Sequence, residues 1–346
     1  MEEEYQQVSW LLVELDGKTH KAINYNDLTG EVKIGDMVIV NTTAVELSLG
    51  TGGTHFVIFN YSNESKKLHG NGHIMKLRYT PLQLKCLAVE EESSPYHHIF
   101  EEFKSLDEHV YIVGSLHSML APIAAMLKYL KNDIKINYIM TDGGSLPIYF
   151  SNTVRTLKEN GLINNTITIG HAFGGDLECT NIYTGLIAAK EILDGDITII
   201  TMGPGIVGTG TKYGFSGIEQ GQIVDAINTL GGEPIIVPRI SFKDSRPRHM
   251  GISHHTRTVL SEIVKTPGKV VLPKLDEYKL KIIKDQITSL NIHKKHEIFY
   301  EEGYKITNAM DKYGLYITTM GRGYEEDKEY FWTLGAVGAF VIGMLK

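Results

Sequence analysis

A chain of 346 residues is long for one ordinary domain and suits two. Its 42% hydrophobic and 22% charged residues are those of a globular protein with a sizeable core, which excludes general disorder. A net charge of −7 speaks against a nucleic-acid or anionic-membrane surface, because such binding runs on a basic face; neither partner is expected.

The amino terminus, MEEEYQQ, is acidic and precedes no long apolar segment, so no secretory signal is read there. Cys86 and Cys179 lie far apart and share no metal spacing, which fits a reducing cytoplasm. From about Val8 to Leu87 the runs WLLVEL, GDMVIVN, HFVIFNY and HIMKLRY are short and β-like, punctuated by Asp16-Gly17, Gly35-Asp36 and Gly52-Gly53. They predict a small β-barrel or sandwich over residues 1–90. The first 105 residues carry nine Lys and Arg against fifteen Asp and Glu, the wrong sign for an oligonucleotide-binding barrel. The glycine-rich loop Leu49 to His55 reads first as a turn, and residues 91–105, beginning EESSPYHH, as a linker.

From residue 106 to 346 the rhythm becomes strand, loop, helix. Strands are expected at His109 to Gly114, Ile134 to Met140, Thr166 to Ile169, Ile197 to Met202, Pro234 to Pro238 and Leu315 to Thr319. Helices are expected at Met119 to Leu130, Tyr149 to Asn160, Leu177 to Leu193, Glu219 to Leu230, Thr256 to Val264, Asp276 to Leu290 and Lys328 to Leu345. Alternation of this kind means an α/β fold: a doubly wound, mainly parallel sheet, Rossmann-like, with the β domain before it. The apolar run Phe331 to Leu345 is shorter than the ~20 residues of a membrane span.

In such a sheet the loops after the strands share one edge, where ligands bind. His117 follows the first strand and Asp142 the second, both as supporting residues. After the third come His171, Asp176 and Glu178, an imidazole and two carboxylates over eight residues. They are candidates for acid/base work, and Asp176 with Glu178 for a divalent metal, Mg or Zn. Asp176 also suits the cap of a helix beginning near Leu177. The fourth loop, Gly203 to Thr211, matches G-x-G-x-x-G only formally, since Pro204 stiffens its turn and no helix start follows. Its glycines, Gly203, Gly205 and Gly208, with Thr209, suit cradling of an anion.

The fifth loop is the densest: RISFKDSRPRHMGISHH places Arg239, Arg246, Arg248, His249, His254 and His255 directly after a buried strand. Arg246 and Arg248 can bind an anion bidentately. Ser253 is placed to cap a helix from His254, whose positive end keeps the histidines neutral. A solvated basic loop is the plain alternative.

The motifs MTDGGSLP, GHAFGGDLE, MGPGIVGTGT and RISFKDSRPRHMGISHHTRTVL, with LGTGGTHFV upstream, resemble the signatures of a bacterial protein family of unknown function. The resemblance covers most of the chain and implies no activity, substrate or catalytic residue. From the residues themselves, the leading reading is a metal-assisted hydrolase or transferase acting on a small anionic, phosphate- or carboxylate-bearing substrate. His171, Asp176, His254 and His255 would be catalytic, and Gly203, Gly205, Gly208, Thr209, Arg239, Arg246 and Arg248 would bind the anion. A non-catalytic ligand sensor is the alternative, and a dinucleotide-dependent oxidoreductase the third reading. A homodimer is compatible with any of them.

Overall fold

The computed structural model describes residues 3–4, 7–49, 53–63, 65 and 71–345. Gly50, Thr51 and Gly52 of the glycine-rich loop lie outside the described residues. The chain divides into two compact units, Met1–Leu87 and Ala88–Lys346.

The first unit contains β1 (Glu3–Glu4), β2 (Val8–Leu15), β3 (Lys18–Tyr25), α1 (Asn26–Thr29), β4 (Val38–Asn41), α2 (Thr43–Glu46), β5 (Thr54–Asn60), β6 (Ile74–Lys76) and β7 (Leu84–Cys86). Asp16 and Gly17 have φ of 51° and 70° and join β2 to β3 with Leu15 opposite Lys18. That is the two-residue turn whose twist matches paired strands. The sheet order is β1-β2-β3-β5-β4, with β3 and β5 parallel and the other pairs antiparallel. The expected barrel is not closed. The outermost strands are short, two residues in β1 and four in β4, and among the described residues they pair with no common neighbour. Leu11, Ala22, Val32 and Val57 form its core.

The second unit begins at Ala88, ahead of the expected linker of residues 91–105. Ala88 bridges to Glu178, the Glu90 carboxylate accepts from the Thr180 backbone N–H at 2.8 Å, and α3 (His97–Glu102) follows. The strands and helices then alternate: β8 (Val110–Val113), α4 (Leu120–Leu130), β9 (Ile136–Thr141), α5 (Asn152–Glu159), β10 (Asn165–Ile169), β11 (Leu177–Cys179), α6 (Ile182–Glu191), β12 (Ile197–Met202), α7 (Glu219–Thr229) and β13 (Glu233–Ile236). A hairpin of β14 (Ile240–Ser241) and β15 (Gly251–Ile252) comes next, then α8 (His254–Thr258), which a π-helical turn continues over Val259–Ile263. The chain closes with β16 (Lys269–Pro273), α9 (Glu277–Ser289), β17 (Glu297–Glu301), α10 (Ile306–Lys312) and α11 (Lys328–Met344).

Eight strands form one wholly parallel sheet in the order β11-β10-β9-β12-β8-β13-β16-β17. Successive side chains of a strand face opposite sides. Accordingly Val110 and Ile112 join one core with α4, α5, α10 and α11, while Tyr111 and Val113 join another with α6, α7 and α9. No helix is long and apolar enough to cross a membrane among the described residues, and α11 spends its apolar face on the first core.

Three strand expectations change. Leu315 to Thr319 is not a strand: Tyr316 is 95% exposed, and Thr319 turns back onto Arg322. Leu177 to Cys179 is an edge strand rather than the start of a helix, because Asn181 caps α6 four residues later by accepting from the N–H groups of Tyr183 and Thr184. The strands β16 and β17 add two members that the sequence reading lacks.

The chain steps from β8 to β9 to β10 in one direction along the sheet, with α4 and α5 on one face. It steps from β11 through β12, β13 and β16 to β17 in the other, with α6, α7 and α9 on the opposite face. Right-handed crossovers require this change of face with direction. The strand β8 therefore sits between β12 and β13, whose outgoing loops leave on the other side, and a crevice opens at their carboxyl ends.

Candidate functional site

A cavity of about 250 Å³ occupies that crevice. Ser115 and Leu116 come to it from the end of β8, Ile206, Val207, Gly208 and Gly210 from beyond the end of β12, and Arg239 from the end of β13. Gln220 of α7, the hairpin tip with Arg246, Arg248 and His249, and Ser253, His255, Thr256 and Val259 complete the wall, with Met320 from the carboxyl-terminal loop.

The arginine- and histidine-rich stretch folds back on itself. Ile240 pairs with Ile252 and Ser241 with Gly251, and the Ser253 N–H donates to the Arg239 carbonyl at 2.9 Å. Ser253 caps α8 as its sequence position predicts, its hydroxyl accepting from the Thr256 N–H. At the tip, Asp244 organises the guanidinium groups. It accepts from Arg246 Nε and Nη2, both at 2.8 Å, and from Arg239 Nη2 at 3.3 Å. Arg322 Nη2 stands 3.9 Å away. These partners, the Arg246 guanidinium foremost, hold the Asp244 carboxyl well below the usual carboxylate range. A second carboxylate, Asp327, accepts from the Ser241 hydroxyl and pairs with Arg322 at 2.9 Å. Its pKa is raised by burial.

The histidines cluster beside these cations. The ring centroids of His254 and His255 are 4.0 Å apart, and His249 lies 4.7 Å from His254 and 5.4 Å from His255. His255 stacks on Phe215 at 4.0 Å and 13°. Burial, then the surrounding charges, with Arg239 foremost for His249 and His254 foremost for His255, depress His249 to about 3 and His255 to about 4. His254 is lowered for the same reasons. All three rings are therefore neutral at pH 7.

The glycine-rich stretch is not a phosphate loop leading into a helix. Gly208 bridges to Phe215, Thr209 N–H donates to Gly214 O at 2.8 Å and Ser216 N–H to Val207 O at 2.9 Å, closing a small hairpin before α7. Gly208 faces His255: a β-carbon there would stand 3.6 Å from its Cε1. Gly203 is buried against Met140, Gly205 (φ 103°) is exposed, and the Thr209 hydroxyl is bonded within the hairpin to Thr211 and Gly214. The features that would support a dinucleotide site, a helix directly after the glycines and an acid ending the next strand, are not those of this loop.

Of the residues expected to share a site, Arg239, Arg246, Arg248, His255 and Gly208 line the cavity. His254 opens instead on a neighbouring shallow depression shared with Arg248, Lys212 and Arg257. His117 is tucked behind the β8 end, Nε2 2.7 Å from Ser151 Oγ and Nδ1 3.3 Å from Met202 O. The Met202 carbonyl can only accept, so Nδ1 carries the ring proton and Nε2 accepts from the Ser151 hydroxyl, which itself accepts from the Val154 N–H as the cap of α5. Burial takes this ring down to about 4.

Asp142 lies at the β9 end against Gly170, where its side chain would stand 2.6 Å from an added β-carbon and leaves no room for one. His171 and Asp176 lie in the connection from β10 to β11, and Glu178 on β11 itself; β10 is three strands from β8, roughly 14 Å at normal strand spacing, β11 is one strand further out, and none of the three residues lines the cavity. Both acids are engaged there. Asp176 accepts from the Thr166 N–H and hydroxyl and pairs with Lys158 at 2.5 Å, and Glu178 accepts from Gly174 N–H and Thr168 Oγ1. They pin the β10–β11 connection, in place of the helix cap expected of Asp176. No group of three His, Cys, Asp or Glu side chains that could hold a metal ion occurs among the described residues.

The sequence reading did not single out Gln220, Asp244, Phe215 or Asp327. Asp244 carried the only available signal, an acid inside the basic run. Gln220 and Phe215 look like ordinary members of a helix and a loop until the sheet order brings them under β8.

Fold and site together define an α/β protein with a basic, histidine-lined cavity at the switch point of a parallel sheet. The chain belongs to the family described as "Protein of unknown function (DUF3866)", which matches residues 21–338. No curated protein and no solved structure matches it.

Proposed function

We propose that this cavity binds a small phosphate- or carboxylate-bearing molecule, and that His255 serves there as the acid/base group of a hydrolysis or group transfer. The observation that supports the reading is an uncompensated positive charge. Asp244 and Asp327 face Arg239, Arg246 and Arg322, whereas Arg248 and Arg257 make no ion pair among the described residues. Arg239 is only 6% exposed, and its Nε has no hydrogen-bond partner. Cations held together at the edge of a core are costly unless an anion joins them. The neutral His255 ring, lining the same cavity, can take a proton once a bound anion offsets the arginine field. The acids Asp176 and Glu178 enter this proposal only as loop anchors.

The test is calorimetric titration of phosphorylated and carboxylated metabolites, at two salt concentrations, followed by product analysis of any ligand that binds. Binding that weakens with salt, with turnover lost in His255→Ala, supports the proposal. Salt-dependent binding without turnover supports the sensor reading instead. A ligand whose affinity ignores salt overturns the anion site.

A further inference from the structure

A second orphan group in the same wall narrows the ligand class; the inference rests on the anion-binding reading above. Gln220 is 1% exposed and lines the cavity. Its Nε2 donates to the Val113 carbonyl at 2.8 Å and to the Val237 carbonyl at 3.0 Å, at the ends of β8 and β13. This fixes the amide: rotating it by half a turn would set Oε1 against two carbonyl oxygens. With Nε2 committed, Oε1 is left as a buried acceptor with no partner. A buried acceptor without a donor is costly, and an apolar side chain of the same shape would avoid that cost. Two residues beyond Val237, Arg239, which also lines the cavity, carries the complementary orphan, a buried Nε–H donor.

We infer that the ligand is a hydroxylated anion, a hydroxyalkyl phosphate or a hydroxy acid. Its charged end meets Arg246 and Arg248, and a hydroxyl donates to Gln220 Oε1 while accepting from Arg239 Nε. A hydroxyl is the simplest group that both donates and accepts, as this pair of orphans requires. Bare phosphate, or an alkyl phosphate, would leave both unsatisfied. Sites that hydrogen-bond a substrate hydroxyl discriminate strongly against the analogue lacking it.

The probes are glycerol 3-phosphate against propyl phosphate, and glycerate against propionate, titrated into the full chain. The hydroxylated member of a pair should bind at least about 10-fold more tightly to the wild type. In Gln220→Met that advantage should vanish. Because that substitution also strips the donor from Val113 and Val237 and can unfold the chain, the probe pairs on the wild type decide. Equal affinities within both pairs overturn the hydroxyl assignment and leave the anion site standing. No binding of any probe overturns the anion reading and this inference with it.

Discussion

Arg248 is the cation with the least to do in the protein itself. It is exposed, makes no ion pair among the described residues, and lines both the cavity and the depression beside it. A direct charge-assisted contact contributes about 1.5–3 kcal/mol, so Arg248→Ala should weaken anion binding roughly 10- to 100-fold. Arg248→Lys should recover only part, because an ammonium cannot reproduce the planar fork. Titration of both variants against the wild type measures this, and unchanged affinity in the alanine variant would make the residue a bystander. His255 adds a prediction of different sign. In the free protein burial holds its pKa at about 4, with the neighbouring histidine and arginines adding to the depression. A bound anion offsets those arginines and raises it, so binding should take up protons and tighten as pH falls from 7 toward 5. Calorimetry in buffers of different ionisation enthalpy reads the uptake directly. His255→Phe should abolish it while keeping the stack on Phe215. These residues were legible in the sequence because Arg and His after a buried strand have few structural uses. Gln220 was not, since its meaning depends on two carbonyls that only the strand order brings beneath it.

At the level of elements, the site depends on a hairpin that no short-range pattern announces. The pairing of β14 with β15 involves two residues on each strand, too short for alternation to register, and its tip is held by Asp244 rather than by a turn sequence. The long helices and fully buried strands were readable, because their periodicity runs over many residues. The strands β16 and β17 were lost among charged neighbours such as Lys269, Glu297 and Glu301. Leu315 to Thr319 misled for the opposite reason: it is apolar enough for a strand, yet serves as a loop. Even so, Met320 and Arg322 reach the site from that loop, as a strand there would also have allowed. Because the Asp244 side chain is 2% exposed and joins two guanidinium groups, Asp244→Asn should leave Arg239 buried against one uncharged partner. Loss of one member of a buried pair costs about 3–5 kcal/mol. The exposed side of Arg246 moderates this, and a loss of roughly 2–3 kcal/mol is expected by denaturant titration. If stability is unchanged, the tip is organised by its backbone alone.

For the whole molecule, the division at Leu87 and the buried histidines make separate predictions. Residues 88–105 belong to the α/β unit through Ala88, Glu90 and α3, so limited proteolysis should spare them, and residues 88–346 expressed alone should fold and bind the same anion. A fragment that aggregates, or a first cut within 91–105, would support the linker reading instead. The histidines set the acid limit. Desolvation takes His117 and His109 down to about 4, and His249 and His255 to about 3 and about 4, from an ordinary value of 6.5. In each case the folded value is the lower, so between these pH values the unfolded chain binds more protons and stability rises with pH. The contribution is complete above about pH 6.5 and is lost as pH falls through 4. For His117, whose ring is held in one tautomer by Ser151 and Met202, the loss is on the order of 3 kcal/mol. Asp244, likewise depressed, adds its own loss below about pH 4. Thermal unfolding between pH 4 and 7 should therefore show Tm falling steadily on the acid side. His117→Asn should flatten part of that slope, and an unchanged slope in that variant would mean that His117 does not titrate differently in the folded and unfolded chain.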